Sequence, residues 1–200
     1  MSVSTRPVMR AQPSAAKIGV VVLVGVMGTG KSTVGSGIAR DLQCSFIDLD
    51  AQITKFAKST VSEIFERGGE AEFRLIETDV LAAVLDDART QIAQQTANSV
   101  VVATGGGAII SQTNRDKINS SADHVIWLDA NVNDLVKRTA SSKTVRPLLA
   151  HDPKQVLSAL SSERAVLYEQ VATVKIDTTG KRIEQVIDAA LQILLQSEQE

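Results

Sequence analysis

A run of branched apolar residues that leads into a glycine-rich loop constrains the fold of this chain most. Ile18–Val24 reads IGVVVLV, a composition typical of a strand that is covered on both faces. Gly25–Ser32 then reads GVMGTGKS, which matches the pattern G-x-x-x-x-G-K-[ST]. Apolar residues follow three or four apart from Lys31 to Leu42, which predicts a helix. The order strand, glycine loop, helix is the context that this pattern requires, and we call Gly25–Ser32 the phosphate loop.

The residue types of the phosphate loop suit the binding of nucleotide phosphates. Glycines let the backbone turn so that successive N–H groups point at phosphate oxygens. The start of the following helix adds a partial positive charge. Lys31 can reach the β- and γ-phosphates and the Ser32 hydroxyl can hold Mg²⁺. The pattern alone does not distinguish a kinase from a hydrolase or a switch.

Beyond this loop, short apolar runs alternate with amphipathic stretches, the pattern of a parallel α/β sheet with helices on both faces. After the strand at 18–24, further strands are predicted at 45–49, 100–103, 124–128 and 174–177. Helices are predicted near 61–65, 70–85, 131–139, 152–171 and 181–195. Gly68 and Gly69 separate the helix at 61–65 from the helix at 70–85. The stretch Asp86–Ser99 is polar and lacks a clear period, so we expect a frayed helix end and a surface loop there.

Composition excludes several classes of protein. The 200 residues are 44% apolar with a net charge of −2, which argues for one globular domain and against a protein that coats nucleic acid. No apolar run is long enough for a membrane span. The single cysteine, Cys44, excludes an internal disulfide framework and is expected to be a small buried apolar residue. A cytoplasmic metabolic protein, expected to be a monomer, fits best. Residues 1–16 are basic and are expected to form a flexible tail, with a short clipped transit peptide as the alternative.

Two acids follow the second predicted strand. Asp48 and Asp50 are at i and i+2, so on an extended chain they point the same way. One could hold Mg²⁺ through water while the other accepts a proton from a substrate hydroxyl. The alternative for Asp48 is a helix N-cap.

Two further clusters fall where parallel α/β proteins bind ligands, past the carboxyl ends of strands. Arg74 could clasp a carboxylate with two parallel hydrogen bonds, although Glu70 lies four residues earlier and a surface ion pair is the alternative. Gly105–Gly107 ends the third predicted strand, where bare backbone lets a ligand approach closely, or simply forms a turn.

Taken together, these clusters resemble the shikimate kinase family from about Lys17 to Leu195. The shared motifs are the phosphate loop, Phe46-x-Asp48-x-Asp50, Glu72-Phe73-Arg74-x-x-Glu77, Gly105-Gly106-Gly107, Arg146-Pro147-Leu148-Leu149 and Arg164-x-x-Leu167-Tyr168. The resemblance implies an α/β fold of the P-loop nucleoside-monophosphate-kinase type: three layers, a five-stranded parallel sheet with order 2-3-1-4-5, and a lid. It places one domain at 17–196, with a substrate-binding helical region at about 50–75 and the lid at about 140–152.

The family's activity would be the ATP-dependent phosphorylation of the 3-hydroxyl of shikimate, with Mg²⁺ as cofactor and ATP and shikimate as the small-molecule partners. The resemblance implies that the ATP phosphates are held by Gly28, Thr29, Gly30, Lys31, Ser32 and Thr33. It places Arg138 near the adenine and Lys181 in the ATP site, and it brings Arg146 to ATP when the lid closes. Ser32 and, through water, Asp48 would hold the metal.

At the acceptor end, the resemblance makes Asp50 the group that hydrogen-bonds the shikimate hydroxyls, as a base or as an orienter. Arg74 and Arg164 would grip the carboxylate and Glu77 would brace them. Backbone of the glycine triplet would complete the pocket, with Gly105, Gly106 and Gly107 as its residues. Lys31, Asp50 and Arg146 would be the catalytic residues.

Two alternatives remain at this stage. A phosphate loop with a carboxylate clamp would also serve a kinase of another small polyol acid, such as gluconate. A catalytically silent relative that only binds nucleotide would be expected to lack Lys31, Asp50 or a clamp arginine, and all are present. In one departure from the family, Val166 stands where a proline is usual.

Overall fold

A computed structural model describes residues 16–141 and 152–197 of the chain. Within them, five strands are β1 (Gly19–Val24), β2 (Ser45–Asp48), β3 (Ser99–Ala103), β4 (His124–Asp129) and β5 (Val174–Asp177). Each lies within two residues of its predicted position. The basic tail up to residue 15 and the core of the predicted lid, with Arg146, lie outside the described residues.

The five strands form one parallel sheet with the order β2-β3-β1-β4-β5, as predicted. In the centre, Val22 pairs with Val102 on one side and with Val125 on the other. All six residues of β1 are buried. This is the reason for the continuous apolar run at 19–24, since a central strand of a parallel sheet has helices on both faces.

The helices of the described residues are α1 (Lys31–Leu42), α2 (Leu49–Ala57), α3 (Val61–Ala93), α4 (Gln112–Ser121), α5 (Val132–Ala140), α6 (Pro153–Glu169) and α7 (Ile183–Gln196), with one 3₁₀ turn at Ala108–Ile110. The predicted interruption at Gly68 and Gly69 is a kink inside α3, where Gly69 takes φ 66° and ψ −164°. A left-handed φ of this kind suits glycine.

The structure corrects the predicted secondary structure at three places. A frayed helix end and a surface loop were expected over Asp86–Ser99, but α3 continues in regular form to Ala93, with Ala88 buried against the core, and the loop is confined to residues 94–98. Helix α2 begins directly after β2, so Asp48 and Asp50 do not share one face of a strand. Helix α4 was not predicted, because Ile118 is its only buried apolar side chain.

Two apolar clusters cover the two faces of the sheet and complete three layers. One cluster joins the sheet to α1 and α7, with Ile38 and Leu194 among its buried members. The other joins the opposite face to α3, α4, α5 and α6, with Leu81, Trp127 and Tyr168 among them. Cys44, expected to be buried, is half-buried at the edge of the first cluster. Among the described helices, none combines the length and the apolar character of a membrane span.

Candidate active site

The phosphate loop connects β1 to α1 and is held by its own side chains. Gly25 has φ 141°, and a Cβ there would lie 2.3 Å from the carbonyl oxygen of Leu128, so only glycine fits. The buried Thr29 hydroxyl donates to the carbonyl oxygen of Val26 at 2.9 Å. Lys31 Nζ donates to the carbonyl oxygens of Gly25 and Val26 at 2.7 and 3.1 Å. The lysine predicted to bind phosphate therefore lies against the loop that would carry the phosphates.

Ser32, in the first turn of α1, contacts the end of β2. Its hydroxyl donates to Asp48 Oδ2 at 2.5 Å. Asp48 is also the N-cap of α2, since its Oδ1 accepts from the backbone N–H of Ala51 at 3.2 Å. Asp48 therefore caps α2 and accepts a hydrogen bond from Ser32 at the same time.

Asp50 lies in the first turn of α2, beside the phosphate loop. The residue is exposed at the surface, and partial desolvation of its carboxyl by the surrounding protein raises the pKa of that group. The charge of Asp48 raises this pKa further, and the charges of Lys31 and Arg74 act against the rise. A Cβ on Gly105 would lie 3.0 Å from Asp50 Oδ1, so the glycine triplet faces this carboxylate.

Arg74 follows the kink of α3 and lies against the glycine triplet. A Cβ on Gly107 would lie 2.3 Å from its Nη2. Its Nη1 donates to Glu77 Oε2 at 2.6 Å, and its Nη2 donates to Glu70 Oε1 at 2.9 Å. Both the predicted brace and the alternative surface ion pair are therefore present, on different edges of one guanidinium group.

Glu77 is fully buried beneath Arg74. Its Oε1 accepts no hydrogen bond from any part of the chain that the structure describes, and it lies 2.9 Å from where a Cβ of Gly105 would be. Burial raises the pKa of Glu77, while the charge of Arg74 acts against that rise. A buried acceptor without a donor is costly unless something reaches it, and here it is directed toward the glycine triplet.

The middle glycine of the triplet connects the site to α6. The carbonyl oxygen of Gly106 accepts from Arg164 Nη1 at 3.0 Å and from the Tyr168 hydroxyl at 2.7 Å. On its other side, a Cβ on Gly106 would lie 3.2 Å from the backbone nitrogen of Met27 in the phosphate loop. The Gly106 peptide therefore lies between the phosphate loop and the arginine of α6.

A cavity of about 170 Å³ opens between these elements. Thr104 and Met27, which the sequence analysis did not single out, contribute to its wall. Thr104 is buried and its hydroxyl donates to the carbonyl oxygen of Leu23 at 3.0 Å, which ties the end of β3 to the end of β1. Its position directly before the glycine triplet is the sequence feature that could have identified Thr104 as a residue of the site. The predicted residues lining this cavity are Gly28, Gly30, Lys31, Ser32, Thr33, Asp50 and Gly106.

Two other predicted nucleotide residues lie beside the carboxyl end of β5. Arg138 donates to the hydroxyl and the carbonyl oxygen of Thr178 at 2.9 and 2.7 Å. Lys181 Nζ donates to the carbonyl oxygen of Asp177 at 2.5 Å. Ile183, near the start of α7, lies 3.7 Å from where a Cβ of Gly30 would be, so this corner adjoins the phosphate loop. Among the described residues, no hydrogen bond or ion pair joins Arg138 or Lys181 to Arg74 or Arg164.

A five-stranded parallel sheet with a phosphate loop at its centre, a carboxylate beside that loop and arginines facing it define a P-loop small-molecule kinase. The chain also matches the family model described as shikimate kinase over residues 27–195. It is 46% identical to the shikimate kinase of Prochlorococcus marinus over 153 residues, which cover 76% of this chain and 74% of that protein. The chain belongs to the shikimate kinase family.

Two further comparisons agree with this membership. The shikimate kinase of Synechococcus sp. strain CC9605 is 40% identical over 173 residues, 86% of this chain and 80% of that protein. The solved structure of shikimate kinase from Acinetobacter baumannii in complex with shikimate has a TM-score of 0.80 and 32% identity, covering 91% of this chain and 96% of that one.

Proposed function

We propose that this chain transfers the γ-phosphoryl group of ATP to the 3-hydroxyl of shikimate. The observation that carries the proposal is the convergence of the phosphate loop, Asp50 and two arginines on the glycine triplet, in a member of the shikimate kinase family. Phosphoryl transfer depends mainly on positioning and on stabilising charge, and these groups supply both.

The nucleotide end of the proposed site is the phosphate loop with the start of α1. Backbone N–H groups of Gly28–Thr33 would bind the phosphates, aided by the positive end of the helix. Lys31 now bonds two loop carbonyls, and phosphate oxygens, being anionic, are the stronger acceptors. We expect Lys31 to exchange these carbonyls for the β- and γ-phosphates. Arg138 and Lys181 would adjoin the rest of the nucleotide.

Ser32 and Asp48 fit the requirements of Mg²⁺. A hydroxyl and a carboxylate oxygen already lie 2.5 Å apart at the edge of the cleft, and Mg²⁺ prefers oxygen ligands, takes few of them from protein and keeps several waters. Ser32 would bind directly and Asp48 through water. When bound, the ion would neutralise negative charge on the phosphates.

The acceptor end would be formed by Arg74, Arg164 and the glycine triplet. Each arginine can form charge-assisted bonds to a carboxylate, and two of them would fix the ring of shikimate in one orientation. Glu70, which is largely exposed, holds the edge of Arg74 that faces away from Glu77. Because Glu70 is on the surface, a substrate carboxylate could replace it at little cost.

Asp50 would accept the hydrogen bond of the attacking hydroxyl. Its raised pKa brings its basicity closer to neutral pH, which suits a group that takes up a proton during transfer. The same position serves an orienter that keeps no proton. Arg146, in the proposed lid at about 140–152, would approach ATP on closure and help to exclude water.

The test is a coupled assay of ADP release by the full-length chain with ATP and Mg²⁺, run with shikimate, with gluconate and with neither acid. Release that depends on shikimate, with the two other reactions at background, is the expected result. Turnover of gluconate without turnover of shikimate would support the kinase of another polyol acid. Binding of ATP without turnover of either acid would support the catalytically silent relative.

A further inference from the structure

Two side chains one turn apart on α6 donate to the same backbone oxygen. Arg164 Nη1 and the Tyr168 hydroxyl both reach the carbonyl oxygen of Gly106, at 3.0 and 2.7 Å. Their spacing of four residues places them on one face of the helix. A carbonyl has two lone pairs, so both donors are accommodated at once.

The two donors differ in how deeply their side chains are buried. Tyr168 is 1% exposed, and its ring stacks on Trp127 with centroids 5.6 Å apart and planes inclined by 28°. Lys175 Nζ lies over the Trp127 ring, 3.9 Å from its centroid. Burial raises the pKa of Tyr168 above its usual range, so the hydroxyl keeps its proton. Arg164, in contrast, is only half-buried.

This difference matters because of what Arg164 is proposed to do. A carboxylate is a stronger acceptor for a guanidinium group than a neutral carbonyl is. When Arg164 turns to a bound carboxylate, Gly106 loses one of its two donors and the Tyr168 hydroxyl remains.

We infer that Tyr168 is a positioning residue for the acceptor: its hydroxyl holds the Gly106 peptide so that Arg164 is free to bind the carboxylate of the substrate. The inference rests on the proposed function. Without this hydroxyl, Gly106 depends on Arg164 alone, and binding the acceptor requires that bond to be broken. The effect falls on the acceptor and leaves the nucleotide side unchanged.

The test compares Tyr168→Phe with the unsubstituted full-length chain. The phenylalanine keeps the ring and its stack on Trp127, the sole tryptophan, so near-UV circular dichroism checks that the packing is retained. We expect the Kd for shikimate, measured by calorimetry, to rise about tenfold, as for the loss of one well-placed hydrogen bond. The KM for shikimate should rise with it, while the KM for ATP and kcat stay within about twofold of the original values.

Ser99→Ala is the matched control. Ser99 is 1% exposed, accepts from the N–H of Ile18 and donates to the carbonyl oxygen of Ala16, both at 3.1 Å, at the opposite edge of the sheet. Its loss should leave both KM values unchanged. In a second variant, 4-aminophenylalanine at position 168 restores an N–H donor at the same place and should recover most of the shikimate affinity.

The outcomes separate the inference from the proposed function. An unchanged Kd for shikimate in Tyr168→Phe would overturn the inference, and so would equal rises in the KM values for shikimate and ATP. Failure of the 4-aminophenylalanine variant to recover affinity would also overturn it. An unsubstituted chain that does not bind shikimate at all would overturn the proposed function itself.

Discussion

At the amino ends of the strands, the carboxylate of Asp123 is paired with two donors, whereas at the carboxyl ends the described residues include a buried carboxylate oxygen that no donor reaches. Asp123, before β4, accepts from the N–H of Val20 at 2.7 Å and from Arg89 Nη1 at 2.8 Å. We call these two ends of the sheet the amino edge and the carboxyl edge. At the carboxyl edge, the buried Glu77 Oε1 has no donor within the described residues. Polar groups whose hydrogen bonds are all made within the protein stabilise the fold, whereas an acceptor without a donor can bind a ligand.

Among the cavities of the described residues, volume does not single out the candidate site. The amino edge has a cavity of about 350 Å³, lined by Arg89, Asp123 and His124 among others. The cleft at the carboxyl edge measures about 170 Å³. The smaller space has residues of the phosphate loop, Gly106 of the glycine triplet and Asp50 in its wall. The lining chemistry, and not the volume, identifies the candidate site.

The largest expected effect at the carboxyl edge is on turnover. Asp50→Asn should lower kcat by about 100-fold or more if the carboxylate takes up the proton, since general base catalysis contributes on this scale. Its melting temperature should be equal or higher, because burial disfavours the charge that the variant removes. Steady-state kinetics with thermal unfolding measures both. An unchanged kcat would remove Asp50 from the chemistry.

The largest effect at the amino edge is on stability. A Cβ on Gly19 would lie 2.1 Å from Asp123 Oδ2, and φ is +78°. Gly19→Ala should therefore lower the free energy of unfolding by about 2 kcal/mol, measured by urea denaturation, with kcat per folded molecule unchanged. Gly180→Ala is the control, since its φ is +65° but nothing lies within 4 Å. Equal losses in the two variants would mean that the contact with Asp123 contributes nothing.

A smaller effect is expected at the arginine that faces the glycine triplet. Arg74→Lys keeps the charge but loses the planar pair of donors, so the KM for shikimate should rise about tenfold, more than kcat falls. Arg89→Lys makes the same change in the ion pair with Asp123 at the amino edge and should leave this KM unaltered. An unaltered KM in Arg74→Lys would place that residue outside the acceptor site.

The smallest effect is a pH dependence of stability that comes from Glu77. Because the folded protein raises its pKa above 4.5, the favourable contribution of the protonated form is complete below that pH and is lost as pH rises through the folded pKa. Glu77→Gln should therefore gain stability relative to the unsubstituted chain as pH rises from about 4.5. Urea denaturation across this range measures the difference, with the exposed Glu70→Gln as control. A difference that does not vary with pH would contradict the raised pKa.

The carboxyl edge was more predictable from sequence than the helices that support it. The phosphate loop and the glycine triplet each follow an apolar strand, and the carboxyl ends of parallel strands meet at one edge. Their convergence could therefore be expected without coordinates. The pairing of Arg74 with both Glu70 and Glu77 follows from helical spacing of four and three residues.

What the sequence could not supply depends on particular hydrogen bonds, which a hydropathy pattern does not show. Helix α4 has little apolar periodicity because its buried face includes Asn114 and Arg115, whose side chains donate to carbonyl oxygens of Ala108 and Ile109. Hydrogen bonds of this kind leave no apolar periodicity in the sequence. The boundary between β2 and α2 was missed because Asp48 serves both as N-cap and as acceptor from Ser32. The shared acceptor of Arg164 and Tyr168 likewise appears only when α6 meets Gly106.

The most direct test of the difference between the two edges is a crystal structure of the full-length chain with ADP, Mg²⁺ and shikimate. The account predicts the shikimate carboxylate between Arg74 and Arg164 and a hydroxyl within hydrogen-bond distance of Asp50, with no ligand in the larger cavity beside Asp123. Shikimate bound at the amino edge, or bound in the cleft with its carboxylate away from both arginines, would contradict it.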